Sequence, residues 1–551
     1  MNIYQVLPRL YGNRKGENVK EGSIDQNGCG KMNDFTLEEL TRIKNYGFTH
    51  IWYTGLLEHA TQTDYSKFGI AKDNALVVKG KAGSPYAIKD YYDIDPDLAV
   101  DVKKRMAEFE ALVARTHEAG LKMVIDFVPN HVARQYKSDV KPARVKDLGE
   151  TDNVAKGFDA QNNFYYILGE QLHTEFATSD SLIYEELPAR ATGNDCFHAW
   201  PNRNDWYETV KLNYGVDYCG GGTKHFAPTP NTWKKMTAIL LFWAKKGVDA
   251  FRCDMAEMVP VEFWKYAIKE VKKKFPNVVF IAEVYNPAEY RNYIKVGGFD
   301  YLYDKVGLYD TLRAIVCHQQ PAAAITGAWQ AVDDIQEHML NFLENHDEQR
   351  IASNYFASLA EKARPALVVS ALMRSNPFMV YAGQEIGERG MDEEGFSGCD
   401  GRTTIFDYWC VDSLKKISSG CVDFTDSERD LYNYYSKILK LRNEVRAFQD
   451  GWFYDLMYVN YDGEEGFNPS RHFAFMRRSE NETILVVVNF EEYPCTVGVK
   501  IPQHAFDFLT LPEGTQCATD LLTGEVHVID LTPDGFTKVE LPNWGATILK
   551  F

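Results

Sequence analysis

Residues 247–283, GVDAFRCDMAEMVPVEFWKYAIKEVKKKFPNVVFIAE, decide the fold. The run 248–254 is a short, largely apolar segment closed by Asp254. Trp264, Ile268, Val271 and Phe275 then recur at helical spacing and stop before Pro276, and the apolar run 278–283 closes on Glu283. A strand, one helix and a second strand in so short a stretch predict two parallel neighbours joined by a right-handed crossover.

The same cadence extends in both directions. Runs 3–9, 49–55 and 121–127 read as earlier strands, and 299–304, 341–347 and 377–383 as later ones. Between them, Leu37, Leu40, Ile43 and Tyr46 share one helix face after Thr36. Val102, Met106, Phe109 and Val113 share another, ending at Gly120, and a third helix covers about 230–246. Eight such strands predict an α/β fold, a (β/α)8 TIM barrel whose chemistry sits at the carboxyl ends of its strands. A doubly wound open sheet is the rival, but no Gly-x-Gly-x-x-Gly follows the first strand.

One interval breaks the rhythm. Asp126 and Asp254 are too far apart for one strand–helix unit, so 132–229 is expected to be a small inserted domain after strand 3. The barrel then comprises 1–131 and 230–450, ending with a helix at 431–448. Beyond it, HFAFMRR, ETILVVVNF, EVHVIDL and GATILKF are β-type runs with no helix expected between them, so 451–551 is read as a C-terminal antiparallel β-sandwich.

Composition sets outer bounds. At 551 residues, 45 % hydrophobic and 25 % charged, the chain has the makeup of folded multidomain proteins. Its net charge of −18 argues against nucleic acid or an anionic membrane surface as partner. Ten scattered cysteines, with no C-x-x-C, read as reduced thiols. No secretory leader opens the sequence and no apolar run is long enough for a membrane span, so a cytoplasmic protein is expected.

Four predicted strands end in acids: Asp126 (DFVPNH), Asp254 (FRCD), Glu283 (IAE) and Asp347 (ENHD). In a parallel barrel these converge on one mouth, and mutual repulsion raises the pKa of at least one of them. Glycosidic chemistry needs that asymmetry: one ionised carboxylate to attack, one acid to protonate the leaving oxygen. A single such acid is more often a cap or ion-pair partner; four on strand ends, with His131 and His346 beside two of them, are not. Arg252, two residues before Asp254, falls on the same strand face, where it would either keep that carboxylate ionised for attack or form a plain structural ion pair. A metal hydrolase is disfavoured because neither H-x-H nor H-E-x-x-H occurs at these strands.

These segments, in this order, resemble the α-amylase superfamily, glycoside hydrolase family 13. Asp126–His131 resembles the segment ending the third barrel strand, and Gly247–Asp254 the segment carrying arginine and nucleophile, with the glycine set further ahead of Phe251-Arg252. Glu283 matches the acid/base glutamate, and Asn345-His346-Asp347 the stabilising segment. Tyr86 in SPYAIKDYYDIDP is similar to the tyrosine beneath the sugar at the cleavage point, and NPFMVYAGQEIG resembles the eighth strand.

The resemblance implies Asp254 as nucleophile, Glu283 as general acid/base and Asp347 as stabiliser, with Tyr86, Asp126, His131, Arg252 and His346 binding substrate. It implies a retaining glycosidase acting on α-glucosidic bonds of maltodextrin- or starch-type oligosaccharides through a covalent glycosyl-enzyme intermediate. A glucanotransferase using the same intermediate, or a non-catalytic glycan-binding protein on the same fold, are the alternatives. Glu257 and Met258 replace a common Lys-His pair, and Met255 follows the nucleophile, so linkage and endo- or exo-action stay open. No catalytic metal is expected. Structural calcium is left open, with Asn130 and Asn213 for it and Lys211 against. Trp200, Trp206 and Tyr207 are candidate sugar walls or core of the insert. An oligosaccharide is the expected partner, and oligomeric state is not fixed.

Overall fold

The computed structural model describes residues 1–174 and 182–551; residues 175–181 of the predicted insert lie outside the described residues. Eight parallel strands close a barrel: β1 (Asn2–Val6), β2 (His50–Tyr53), β3 (Lys122–Phe127), β4 (Ala250–Cys253), β5 (Val279–Ala282), β6 (Tyr301–Tyr303), β7 (Met339–Phe342) and β8 (Phe378–Tyr381). They pair in sequence order, and β8 returns to β1.

Helices α1 (Leu37–Tyr46), α2 (Arg105–Glu118), α3 (Asn231–Lys245) and α4 (Val261–Lys274) follow the first four strands. The start of α1 is fixed by Thr36, whose hydroxyl accepts from the Glu39 N–H. Its end is fixed by Gly47, at φ +126° with a Cβ position that Leu439 already fills. On α4, Phe263, Trp264, Ala267, Ile268 and Val271 are buried, the face that the sequence spacing predicts.

The barrel interior is layered. Ile3, Trp52, Val124, Ala250, Ile281, Tyr303, Leu340 and Met379 belong to one apolar cluster inside the barrel. Two residues further along the first five strands, on the same face, stand Gln5, Thr54, Asp126, Arg252 and Glu283, all buried. An apolar floor therefore lies directly beneath a polar layer, and that step positions the site.

The first strand, expected over 3–9, ends at Val6 before a short helix at Pro8–Tyr11, and three larger differences stand beside it. The seventh strand is 339–342, not 341–347, so Asp347 lies five residues beyond it, in a turn where Asn345 Oδ1 accepts from the N–H groups of Asp347 and Glu348. That asparagine-centred turn competes with strand pairing. The helix expected at 431–448 starts at Asp426, capped by Thr425 and Glu428, and stops at Glu444. In the C-terminal region a helix, Gln503–Leu509, interrupts the β-runs; it follows Pro502 and buries Ala505, Phe506 and Leu509.

After β3, residues His131–Ala133 pair antiparallel with Thr209–Lys211, and the connecting chain carries short ladders at 166–167 with 189–190 and at 216–217 with 223–224. Beyond 451, a six-stranded antiparallel sheet in the order 452–455, 472–478, 483–489, 545–550, 514–520, 526–531 accompanies a two-stranded one, 495–500 with 536–541. Among the described residues no helix is long and apolar enough to cross a membrane, and all ten cysteines are unpaired.

Candidate active site

Arg252 is the hub of the polar layer. It stands opposite Asp126 in the β3–β4 register and opposite Ile281 across β5. Its Nη1 lies 2.7 Å from Asp254 Oδ1 and 3.5 Å from Asp126 Oδ1, and its Nη2 lies 2.9 Å from Glu283 Oε2. Its Nε donates to the Tyr303 hydroxyl at 3.1 Å. The guanidinium also lies 5.2–5.5 Å from the ring centroids of Trp52, Tyr86 and Tyr303. Burial disfavours its charge, but Glu283, the two tyrosines and Asp254 outweigh this and hold the guanidinium well above its ordinary range.

Each carboxyl has a distinct setting. Asp126 accepts from Trp52 Nε1 at 3.0 Å and from the Tyr86 hydroxyl at 3.4 Å, and burial pushes it up to about 6 against the pull of Arg252. Asp254 is raised well above the usual carboxylate range, by burial first and then by Glu283 and Asp347, with Arg252 opposing. Glu283 accepts from the Met255 N–H at 2.8 Å and from the Tyr285 hydroxyl. Asp347 is the open member, its side chain 43 % exposed to the mouth; burial of the rest of it and then the Glu283 carboxylate push it up to about 7, against Arg252 and Arg402.

The remaining expected residues join this set in two ways. His346 receives Gln5 Nε2 at its Nδ1 (2.8 Å), meets the Tyr86 hydroxyl at its Nε2 (2.6 Å) and lies 3.1 Å from Asp347 Oδ2. Burial and Arg252 hold it well below the usual imidazole range, so it is a neutral hydrogen-bonding group. Tyr86 stacks on its ring at 5.1 Å. His131 stands further out, beside Asn130 and against Trp206 with ring centroids 5.1 Å apart, and is pushed down to about 3 by burial and Lys211. Trp206 is thus a wall beside an expected site residue. Trp200 is half exposed and stacked on His173, and Tyr207 is buried.

Sequence reasoning missed four contributors: Gln5, Trp52, Tyr285 and Tyr303. Each lies on or just after a barrel strand, and the two-residue step above the apolar floor is the signal that marks Gln5. Met255, next to Asp254 in the sequence, adopts φ +43°, ψ +42°, a left-handed conformation unusual for a side chain of its size. That turn aims its N–H at Glu283.

The place where the resemblance implies calcium holds an ammonium instead. Lys211, on the strand paired with His131–Ala133, is 2 % exposed, and its Nζ lies 2.7 Å from Asn130 Oδ1 and 2.5 Å from Asp195 Oδ1. Burial lowers its pKa, with Asp195 opposing. Asn213 turns away, donating to Asp159 O and accepting from the Gly215 N–H. These residues do not fit a divalent cation, since a like charge already fills the oxygen pair.

Comparison with known proteins adds to this geometry. Residues 5–404 match the family model described as Alpha amylase, catalytic domain. Alpha-amylase 3 of Dictyoglomus thermophilum is 24 % identical over 472 residues, 82 % of this chain and 78 % of that one. A cyclomaltodextrinase of a Bacillus species is 22 % identical, covering 91 % of this chain and 75 % of that protein. Among solved structures, a noncanonic maltogenic alpha-amylase, AmyB, from Thermotoga neapolitana superposes with a TM-score of 0.64 at 19 % identity, over 100 % of this chain and 98 % of that chain.

Proposed function

The chain belongs to the α-amylase family of glycoside hydrolases, and on that premise we propose that it hydrolyses α-glucosidic bonds in maltodextrin-sized oligosaccharides with retention of configuration. Asp254 is the nucleophile, Glu283 the general acid/base and Asp347 the stabilising acid. The observation that carries this reading is the single guanidinium of Arg252 lying between the carboxyls of Asp254 and Glu283, at the carboxyl ends of adjacent strands.

The proton balance follows from the count of charges. Asp126, Asp254, Glu283 and Asp347 share Arg252, with Arg402 beside Asp347 alone, so four carboxyls outnumber two guanidiniums and the set keeps protons at neutral pH. In the first step Asp254 attacks the anomeric carbon as an anion held by Arg252 Nη1, while the proton on Glu283 passes to the leaving glycosidic oxygen. In the second step Glu283 takes a proton from water, which attacks the same carbon and releases Asp254. Neutral His346 and open Asp347 bond sugar hydroxyls, and Tyr86 offers its ring beneath the reacting sugar. The Lys211 ammonium ties the base of the insert to the β3 end, so no ion is needed to hold His131 there.

The test is product analysis with maltoheptaose, following the anomeric configuration of the first product by proton NMR, on wild type and Asp254→Asn. Shorter products born in the α configuration, and abolished by the substitution, support the proposal. Products both longer and shorter than the substrate identify the glucanotransferase. Early β-anomer overturns retention, and glucan binding without turnover identifies the binding protein.

A further inference from the structure

Outside the Arg252 set, acidic side chains gather at the hairpin that follows β2. Its strands, Leu57–His59 and Ile88–Ile94, pair with bulges on both sides of Glu58, which stands opposite Asp90. Glu58, Asp90 and Asp93 are each no more than 1 % exposed, and one carboxylate oxygen from each lies within 4.8 Å of the others. Asp139, from the segment after β3, lies beside Glu58 and can share a hydrogen bond with it, outside the set of three.

Three oxygens in this cluster have no partner: both Oε atoms of Glu58 and Oδ2 of Asp139, all shielded from solvent. The others are engaged. Asp90 accepts from the N–H groups of Tyr92, Asp139 and Val140. Asp93 accepts from the Ile94 N–H and is paired with Arg105. Lys89, the nearest other cation on the hairpin, is held by Asp73 3.1 Å away and by Ala71 O. Glu58 and Asp139 therefore face each other and Asp90 with no cation in direct contact, Lys89 acting on both from its place beside Asp73. Buried carboxylates without donors are strongly unfavourable, and one shared proton would serve only one oxygen pair.

We propose that Glu58, Asp90, Asp93 and Asp139 form a structural calcium site. The donors are hard oxygens, which exclude thiolate- and imidazole-seeking metals. Their separation suits an ion that takes six to eight oxygens at about 2.3–2.6 Å, and the enclosure leaves little room for the waters magnesium retains. The ion neutralises the orphaned carboxylates and clamps two segments that reach the active site: the hairpin, with Tyr86 four residues before Asp90, and the start of the insert, with His131 eight residues before Asp139. It is separate from the Lys211 position and independent of the hydrolytic reading.

The experiment is isothermal titration of calcium chloride into EGTA-stripped, gel-filtered protein, with magnesium chloride as control, on wild type, Glu58→Gln and Asp139→Asn. Wild type is expected to bind one calcium per chain and to melt at a higher temperature with it, and each variant to bind at least tenfold more weakly. Should Glu58→Gln fail to fold, the half-buried Asp139 variant decides alone. No calcium binding by wild type overturns the site, the carboxyls then being satisfied by protons, and so does unchanged binding in the variants.

Discussion

Arg252 Nη1 lies 2.7 Å from Asp254 Oδ1, a pair set two residues apart on one side of β4 and its end. The same guanidinium reaches Glu283 with its other nitrogen, so one buried cation orients both carboxyls that the proposed reaction uses.

Asp254→Asn and Glu283→Gln are isosteric and remove one charge or one proton site each. Each is expected to lower kcat by at least about 10⁴-fold on maltoheptaose, since residues acting as a unit fail together. Melting temperatures at or above wild type would show that the loss is chemical, because like-charge crowding is relieved. Activity within tenfold of wild type in either variant would sink the assignment.

Arg252 opposes the rise of the Asp254 pKa, so removing it lets that carboxyl hold its proton to still higher pH. Arg252→Gln removes both the charge and the fork and is expected to lose about 10²–10³-fold in kcat/KM. The acidic limb of its pH–rate profile should also move upward. A profile that loses amplitude without that movement would assign Arg252 to packing alone.

Asp347 is pushed up to about 7 in the folded protein, whereas an unfolded aspartate releases its proton near 4. Between these values the native state binds more protons, so this group lowers stability as pH rises through the window. Asp347→Asn should therefore match wild type in melting temperature at pH 4 and exceed it at pH 8. A constant offset at both pH values would contradict the shift.

Lys211→Met removes the ammonium between Asn130 and Asp195. Asp195 is 45 % exposed and can turn to water, so the expected cost is the lost hydrogen bonding, about 1–3 kcal/mol by urea denaturation. An unfolding midpoint and slope unchanged by the substitution would remove Lys211 from that role.

The sequence alone determined the strand–helix cadence, the acids near the strand ends and Arg252 beside Asp254, because period-2 and period-3.6 patterns and strand-end positions are local properties of the chain. It could not place Asp347, whose strand ends early in an asparagine-centred turn, nor the Gln503–Leu509 helix. The polar layer of Gln5, Thr54, Asp126, Arg252 and Glu283 depends on barrel register, which only closure sets. Lys211 between Asn130 and Asp195, and Glu58 against Asp139, each join segments far apart in the chain. Such pairings carry no sequence periodicity; they are decided by packing in three dimensions, where a buried charge must find a partner or an ion.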